Sequence, residues 1–220
     1  MKLSKRLRQI IAFVPHDAIP LDLGSDHGLI PLALIREGLV KRVFASDISL
    51  KCVAKIKKNT ENYQDQVIAY QAAGLDSLPK DVNCLIMAGM GSFLMINILK
   101  AHRTSLSQFQ TIIIDSHAEV PLIREYLNDN GFMIEDERGI IENSHFYEII
   151  KFVPGKGTYD TDDVLIGPFI KNDAMYLRNM VQRLEGNLET LSLKMVPKNV
   201  IQDLKDKIRR YQKYASKRTN

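Results

Sequence analysis

Three short segments carry residues suited to chemistry, and each follows an apolar run typical of a buried strand. The first is 21–34, LDLGSDHGLIPLAL, which has glycines at Gly24 and Gly28. Gly24 permits a tight turn against a ligand, and Gly28 permits close contact between a helix and a strand. The amino end of the following helix offers N–H groups to an anionic ligand group. The segment therefore predicts a ligand-binding loop.

Acidic residues around this loop indicate which cofactor it binds. The spacing Asp-x-Gly-x-x-x-Gly differs from the Gly-x-Gly-x-x-Gly of dinucleotide sites, and Asp26 stands where a second glycine would receive the pyrophosphate. A carboxylate there would repel a pyrophosphate, whereas the cationic sulfonium and zwitterionic tail of S-adenosylmethionine suit the loop. Asp47 ends the next apolar run and can accept both ribose hydroxyls. The two segments together predict a site for an adenosyl cofactor.

The third segment is 83–92, NCLIMAGMGS, in which an apolar run leads into two glycines around Met90. In a parallel sheet, ligands bind beyond the carboxyl ends of the strands, so this turn should face the same cleft. Gly89 and Gly91 would let the backbone approach a flat substrate or the transferred methyl group. The alternative is a tight turn from strand to helix with Met90 in the core.

The elements that must position these residues alternate between strands and helices. Strands are predicted at 18–23, 42–46, 67–71, 84–88 and 111–114, and helices between them at 29–37, 50–62, 93–102 and 121–130. Two further β-type runs, 132–141 and 145–152, have no helix between them and predict an antiparallel pair at the edge of the sheet. The pattern indicates an α/β protein with a Rossmann-like, doubly wound, mixed seven-stranded sheet.

A second, helical domain is predicted after the linker Pro154-Gly155-Lys156-Gly157. Apolar residues recur at spacings of three and four through 170–193 and again after Pro197, which predicts an antiparallel, coiled-coil-like helical hairpin. We expect a cofactor-binding domain at 1–157 and a helical domain at 158–220. The second helix and its end carry most of the excess positive charge, with nine basic and two acidic residues between 194 and 220.

Composition narrows the functional classes. The chain has 220 residues, of which 45% are hydrophobic and 25% charged, and its net charge is +4. This excludes a disordered or collagen-like chain, and no apolar stretch is long enough to cross a bilayer. Two distant cysteines, Cys52 and Cys84, predict neither a disulfide framework nor a zinc site, so we expect a cytoplasmic, metal-free protein. The basic C-terminal segment predicts a polyanion as partner; the alternative is a solvated helix face.

Several motifs resemble the bacterial tRNA (adenine-22-N1)-methyltransferase family. They are Gly24-Ser25-Asp26-His27, Pro31, Ala88-Gly89-Met90-Gly91, 146–150 and 166–168. The resemblance spans most of residues 1–170 and implies an S-adenosylmethionine-dependent enzyme with a Rossmann-like catalytic domain and a helical C-terminal domain. It implies tRNA as substrate, and neither a membrane nor an obligate protein partner is indicated.

The chain departs from the family at two positions in the predicted cleft. Asp115-Ser116-His117 stands where many members have Gln-Pro-Asn, so the substrate side of the cleft should differ. Ala73 replaces a polar residue, so the cofactor adenine should be held there by backbone and apolar contacts. The predicted cofactor-binding residues are Asp22, Gly24, Ser25, His27, Gly28, Asp47, Ile48, Ala73, Gly74, Ala88 and Gly89.

The expected reaction is methyl transfer to adenine N1, which already carries a lone pair and needs no strong base. A carboxylate that accepts the exocyclic N–H and offsets the developing positive charge would help. Asp26 is the first candidate and Asp115 the second, with Met90 beside the transferred methyl group. The alternative for Asp26 is a turn or helix-cap residue, and His27 either orders the loop or contacts a ligand.

Recognition of RNA is expected to depend on shape and phosphates. The predicted substrate-binding residues are Arg6, Arg8, His117, Lys205, Arg209, Arg210 and Lys213. Two other functions stay open at this point: a small-molecule methyltransferase with the same cofactor site, and a non-catalytic RNA-binding protein on a methyltransferase fold. The first would act without RNA, and the second would show no turnover.

Overall fold

The protein is described by a computed structural model that covers residues 3–216. Its β-strands form one sheet, and most of them are short runs buried on both faces. They are β1 (Pro20–Leu23), β2 (Val43–Asp47), β3 (Val67–Gln71), β4 (Cys84–Met90), β5 (Thr111–Ser116), β6 (Phe132–Glu142) and β7 (His145–Pro154).

The sheet has the order β3-β2-β1-β4-β5-β7-β6. The first five strands are parallel, and β7 runs antiparallel between β5 and β6. The order reverses at β1, so the ends of β1 and β4 flank the crevice where a ligand binds in such sheets. The predicted fold class, a Rossmann-like mixed seven-stranded sheet with C-terminal helices, is confirmed, and the antiparallel pair lies at the predicted edge.

Helices cover both faces of the sheet and bury two apolar clusters against it. They are α1 (Lys5–Ala12), α2 (Leu29–Arg36), α3 (Leu50–Asn59), α4 (Ser92–Ala101), α5 (Val120–Asp129), α6 (Thr161–Ile166), α7 (Ala174–Ser192) and α8 (Lys198–Ala215). Helices α1, α2 and α3 contribute Ile10, Leu34 and Ile56 to one cluster, and α4 and α5 contribute Leu99 and Ile123 to the other.

Helix α1 was not predicted from the sequence. Its start is set by Ser4, whose hydroxyl accepts a hydrogen bond from the N–H of Leu7 at 3.2 Å. Helix α1 is also held to the sheet by the N–H of Lys5, which donates to Glu142 Oε1 on β6 at 2.7 Å. Tertiary contacts of this kind, rather than helix propensity, stabilise so short a helix.

The C-terminal helices pack against each other and against the β6–β7 hairpin. Arg178 near the start of α7 bonds to the carbonyl of Ala215 at the end of α8, as expected for antiparallel helices. The long helix predicted from residue 170 begins instead at Ala174, because Asp173 accepts from the N–H of Tyr176 at 2.9 Å and caps it. The domain boundary at 157 and 158 stays a prediction.

A buried charge cluster joins the sheet to the segment that leads into α7. The Arg124 guanidinium on α5 donates to Glu137 on β6 and to Glu148 on β7, at 3.1 and 2.7 Å. It also donates to the carbonyls of Val164 and Ile166, which belong to α6. Arg124 and Glu137 are both almost fully buried, so one set of polar contacts fixes α6 to the sheet.

Candidate active site

A cleft of about 680 Å³ lies at the carboxyl ends of the strands. The three segments predicted from the sequence meet there. Its lining includes Gly24, Asp47, Ile48, Ala73, Gly74, Ala88, Gly89 and Met90 from the predicted set, together with Leu23, Ser46, Ala72, Asp76, Leu94, Asn97, Ile98, Ala101 and His102. Parallel strands bring these distant residues to one edge of the sheet.

The turn after β1 has the geometry that its glycines predict. Gly24 has a φ of +75°, and a Cβ built there would collide with the Cε atom of Met90. The N–H groups of Gly24 and Ser25 both donate to the carbonyl of Ser46 on β2, at 2.9 and 3.0 Å. Gly28 begins α2 in the left-handed conformation, and a Cβ there would lie 3.0 Å from Ile56 of α3. The loop is thus held close to β2, Met90 and α3, where side chains would not fit.

Asp47 stands at the rim of the cleft, where β2 ends. Its two carboxylate oxygens accept from the N–H groups of Ser49 and Asp26, at 2.9 and 3.2 Å. These bonds orient the carboxylate while leaving each oxygen a further lone pair. Beside it, the Ile48 side chain is exposed and also lines the cleft. Asp47 is therefore placed as a ribose-binding carboxylate requires.

A smaller recess of about 260 Å³ adjoins the main cleft and shares Gly24, Ala88 and Gly89 with it. Asp22 lines this recess, is buried, and accepts from the Ser25 hydroxyl at 2.5 Å. Burial raises the pKa of Asp22 to about 6, although the bond from Ser25 opposes the rise. The recess thus contains a carboxylate and the edge of the glycine turn, which suits an amino acid tail.

Asp115 is the penultimate residue of β5, and its side chain is fully buried. Arg6 on α1 donates from Nε to Asp115 Oδ2 at 2.5 Å, and its guanidinium carbon lies 5.0 Å from the centre of the Tyr147 ring. Among residues 3–216, no group bonds to the second oxygen, Oδ1. Burial raises the pKa of the Asp115 carboxyl, and Arg6 and then His117 oppose the rise. Arg6 lines the smaller recess, whereas the Asp115 carboxylate to which it bonds is buried and lines neither of the two cavities.

Gly89 connects this carboxylate to the cleft. A Cβ built at Gly89 would lie 3.4 Å from Arg6 Nη2 and 3.6 Å from His117 Nε2. The N–H of His117 donates to the carbonyl of Met90 at 3.0 Å, although its side chain is exposed. Arg6, predicted as a surface contact for RNA, is thus placed inside the site, next to the Gly89-Met90 turn.

Asp26 has surroundings different from those of Asp115. It adopts a φ of +46°, and its side chain is about half exposed. Oδ1 accepts from Cys52 and from Lys55 on α3, both at 3.3 Å, and Oδ2 lies 3.2 Å from Nε2 of His27. The hydrogen bond from Cys52, followed by the bond from Lys55 and the electrostatic effect of nearby His27, lowers the pKa of Asp26. These partners hold Asp26 and His27 against α3, at the edge of the smaller recess.

Four polar residues that line the cleft were not predicted as site residues: Ser46, Asp76, Asn97 and His102. Asp76 Oδ1 lies 3.6 Å from Nε2 of His102. Asp76 follows Gly74 by two residues, so its place after β3 was a usable signal. The Asp76 carboxylate offers a hydrogen-bond acceptor on the side of the cleft lined by Ala73, whose side chain has none.

The predicted basic residues fall into two groups. Arg8, Lys205 and Arg209 are exposed, and Arg209 forms an ion pair with Asp206 of its own helix, at 2.9 Å. Arg210 and Lys213 instead bond to Asp162 of α6, at 2.5 and 3.0 Å, and so attach α8 to α6. None of these residues lines the described cleft. Lys217 and Arg218 lie outside the described residues.

Neither a membrane-spanning helix nor a metal cluster is found in residues 3–216. No described helix is both long and apolar enough to cross a bilayer. No group of three or more His, Cys, Asp or Glu side chains within the same residues is arranged to hold a metal ion.

The fold and the site define a class of protein. A Rossmann-like sheet with an antiparallel β7, a glycine turn after β1 and a ribose-type carboxylate after β2 is the arrangement of an adenosyl-cofactor enzyme. Residues 3–150 match the family described as methyltransferase domain, which is more than half of the chain. The chain belongs to this methyltransferase domain family.

Particular relatives resemble the whole chain. The tRNA (adenine(22)-N(1))-methyltransferase of Bacillus subtilis is 26% identical over 196 residues, which cover 84% of this chain and 82% of that protein. A solved structure from Streptococcus pneumoniae is described as a candidate tRNA (m1A22) methyltransferase in complex with S-adenosyl-L-methionine. It is 28% identical and has a TM-score of 0.86, and the match covers 97% of this chain and 100% of that one. The TrmK of M. capricolum bound to S-adenosyl-homocysteine shares the fold, at 23% identity and a TM-score of 0.81, with 98% of each chain covered. The resemblance predicted from the motifs is confirmed.

Proposed function

We propose that this protein transfers the methyl group of S-adenosylmethionine to N1 of an adenine in tRNA, the adenine at position 22 in the named relatives. The observation that carries the proposal is the cleft itself. It combines the Gly24 turn, the Asp47 carboxylate and the Met90 turn in a chain similar over nearly its whole length to a structure bound to this cofactor. A tRNA substrate implies a cytoplasmic enzyme.

The described residues fit the parts of this cofactor. Asp47 would bind the ribose hydroxyls, while Ile48, Ala73, Gly74 and Asp76 would surround the adenine. The smaller recess, with buried Asp22, would take the ammonium of the amino acid tail. When bound, the cofactor supplies a methyl group on a positively charged sulfur. Gly24, Ala88 and Gly89 line both cavities and therefore mark where that sulfur would lie.

The residues of the chain position the adenine rather than deprotonate it, since N1 already has a lone pair. Asp115 is the better supported carboxylate, because it is buried beside the Gly89-Met90 turn and has an oxygen without a partner in the described residues. Asp26 was the first candidate from the sequence, but its bonds to Cys52 and Lys55 favour a role in shaping the glycine turn. Exclusion of water by this apolar-walled cleft would strengthen the charge stabilisation.

An adenine N1 in a base pair is hidden, so the target must be unpaired or extruded. Exposed basic groups on α1 and α8 would bind the phosphates around it. Arg8, Lys205 and Arg209 are the described residues available for this, since Arg210 and Lys213 are bonded to Asp162.

Purified protein, labelled S-adenosylmethionine and an unmodified tRNA transcript test the proposal, with nucleoside analysis of the product by mass spectrometry. We expect 1-methyladenosine at one position. Asp115→Asn should lose most of the rate, whereas the exposed control Asp65→Asn should keep it. Methylation of small molecules without RNA would contradict the proposal and favour a small-molecule methyltransferase. Cofactor binding with no transfer to any tRNA would contradict it and favour a non-catalytic RNA-binding protein.

A further inference from the structure

The Arg6–Asp115 pair links two parts of the chain that are 109 residues apart. Arg6 reaches Asp115 from α1, at the opposite end of the sequence from the basic C-terminal helix. Its guanidinium is only about a fifth exposed and stacks on the Tyr147 ring of β7. A cation that bonds to a buried carboxylate, stacks on an aromatic ring and lies beside Gly89 is fixed in place and differs from a solvated surface charge.

The pair leaves one acceptor unused. Arg6 occupies Oδ2 of Asp115, while Oδ1 is buried without a hydrogen-bond partner in residues 3–216. A buried carboxylate oxygen without a partner costs folding free energy, so such an atom calls for a ligand donor. The strand neighbours of Asp115 in register are Ala88 and Ile149, and neither side chain can donate to it.

We propose that the Arg6–Asp115 pair recognises the 6-amino group of the substrate adenine, with Asp115 Oδ1 accepting its N–H while Arg6 holds Oδ2. The inference rests on the proposed function. Asp115 thereby contacts the substrate, and Arg6 is a positioning residue that acts through it. A guanine has a carbonyl oxygen at the same ring position, and a carboxylate would repel it. The pair would therefore determine which purine is methylated.

Arg6 matters because burial raises the pKa of the Asp115 carboxyl and the Arg6 guanidinium opposes that rise. A protonated carboxyl could still meet the base, but it would offer no negative charge to the positive charge that develops on methylated adenine. The groups that face Asp115 are Arg6 from α1 and His117 from the loop after β5; the neighbours on β4 and β7 are apolar. Of the two, only Arg6 bonds to the carboxylate.

The test combines a substrate change with an enzyme change. Target adenosine in a ligated tRNA is replaced by purine riboside, which keeps N1 but lacks the 6-amino group. Single-turnover methylation rates are measured for the wild type and for Asp115→Asn on both tRNAs. In that variant Arg6 bonds to the one side-chain oxygen of the asparagine. The amide NH2 group then faces the adenine, so a donor replaces the acceptor Oδ1 of the carboxylate.

For each protein we compare the methylation rate on the adenosine tRNA with the rate on the purine riboside tRNA. We expect this ratio to be about 10- to 100-fold larger for the wild type than for Asp115→Asn, as the loss of a charged hydrogen bond implies. Calorimetric binding of S-adenosylhomocysteine should be unchanged in the variant, which separates the substrate contact from a folding defect. Equal discrimination by both proteins would refute the inference while leaving the proposed function intact. No methylation of any tRNA by the wild type would refute both.

The pH profile tests the role of Arg6. Removing its charge in Arg6→Gln should raise the Asp115 pKa, so the rate of this variant should recover as pH rises, whereas Arg6→Lys should stay close to the wild type. The double variant Arg6→Gln with Asp115→Asn should lose this additional pH dependence, because the carboxyl group that causes it has been removed. An Arg6→Gln profile parallel to that of the wild type would overturn the positioning role.

Discussion

Replacing Arg124 by methionine tests whether the buried charge cluster holds the C-terminal helices to the sheet. Arg124 is 1% exposed and makes contacts with Glu137, Glu148 and the carbonyls of Val164 and Ile166. Methionine fills similar space without a charge. Its substitution leaves Glu137 buried beside Glu148 with no cation, although the N–H groups that bond to Oε1 of Glu137 remain.

Breaking a buried ion pair by removing one partner costs about 3–5 kcal/mol. For a chain of this size, 1 kcal/mol corresponds to a shift in melting temperature of about 2–4 °C, so we expect Arg124→Met to melt about 6–20 °C lower. Adding Glu137→Gln should restore part of this loss, since the uncompensated charge is then removed while an oxygen still accepts from the N–H groups of Phe169 and Ile170.

Thermal unfolding followed by circular dichroism measures the effect, with limited proteolysis reporting whether α7 and α8 detach first. Arg209→Met is the matched control, because Arg209 is exposed and, among the described residues, forms an ion pair only with Asp206 of α8. The melting temperature of this variant should stay at the wild-type value. An Arg124→Met protein that melts with this control, or a double variant that melts below the single one, would refute the reasoning.

Three further predictions concern the cleft and the RNA surface. Gly24→Ala should weaken S-adenosylhomocysteine binding by about tenfold or more in calorimetry, since its Cβ meets Met90; Gly38→Ala shares the left-handed φ but meets no atom within 4 Å and should bind normally. The pKa of Asp22 is raised from 3.8 to about 6, so the folded state binds this proton more tightly, and stability should fall as pH rises across that interval. Asp22→Asn should flatten that part of the melting-temperature profile. Reversing the charge of Lys205 and Arg209 together should weaken tRNA binding and reduce its salt dependence. The control is the same change at Lys41 and Lys80, which are exposed and precede the amino ends of β2 and β4, opposite the cleft; tRNA binding should then be unchanged.

Local patterns were sufficient to predict the cofactor side of the cleft. Gly24, Asp47 and Met90 each follow an apolar run, and the topology of a parallel sheet brings such strand ends together whatever the details of packing. Gly28 was predicted for the same reason, and its left-handed conformation against Ile56 agrees with the close helix packing expected there. The positions of the strands could also be predicted from the sequence, because near-continuous apolar content indicates strands that are buried on both faces.

Side-chain direction could not be predicted in the same way. Asp26 and Asp115 both follow strands and both looked suited to the substrate, but Asp26 has a left-handed backbone that brings its carboxylate to Cys52 and Lys55. The partner of Asp115 is Arg6, on a helix that only tertiary packing stabilises. No local pattern contains a contact between residues this far apart in the chain, so the choice between the two carboxylates required the structure.

The basic C-terminal segment shows why a count of charges overstates a binding surface. Its excess of basic residues predicted a polyanion partner, but Arg210 and Lys213 converge on Asp162, which the Tyr214 hydroxyl also contacts at 2.9 Å. These bonds lower the pKa of Asp162 to about 2, so the carboxylate stays charged and keeps both cations in place. Charge that attaches α8 to α6 is not free to bind phosphate. Among the described residues, the proposed contact with RNA therefore depends on cations such as Lys205 and Arg209, which are exposed on α8.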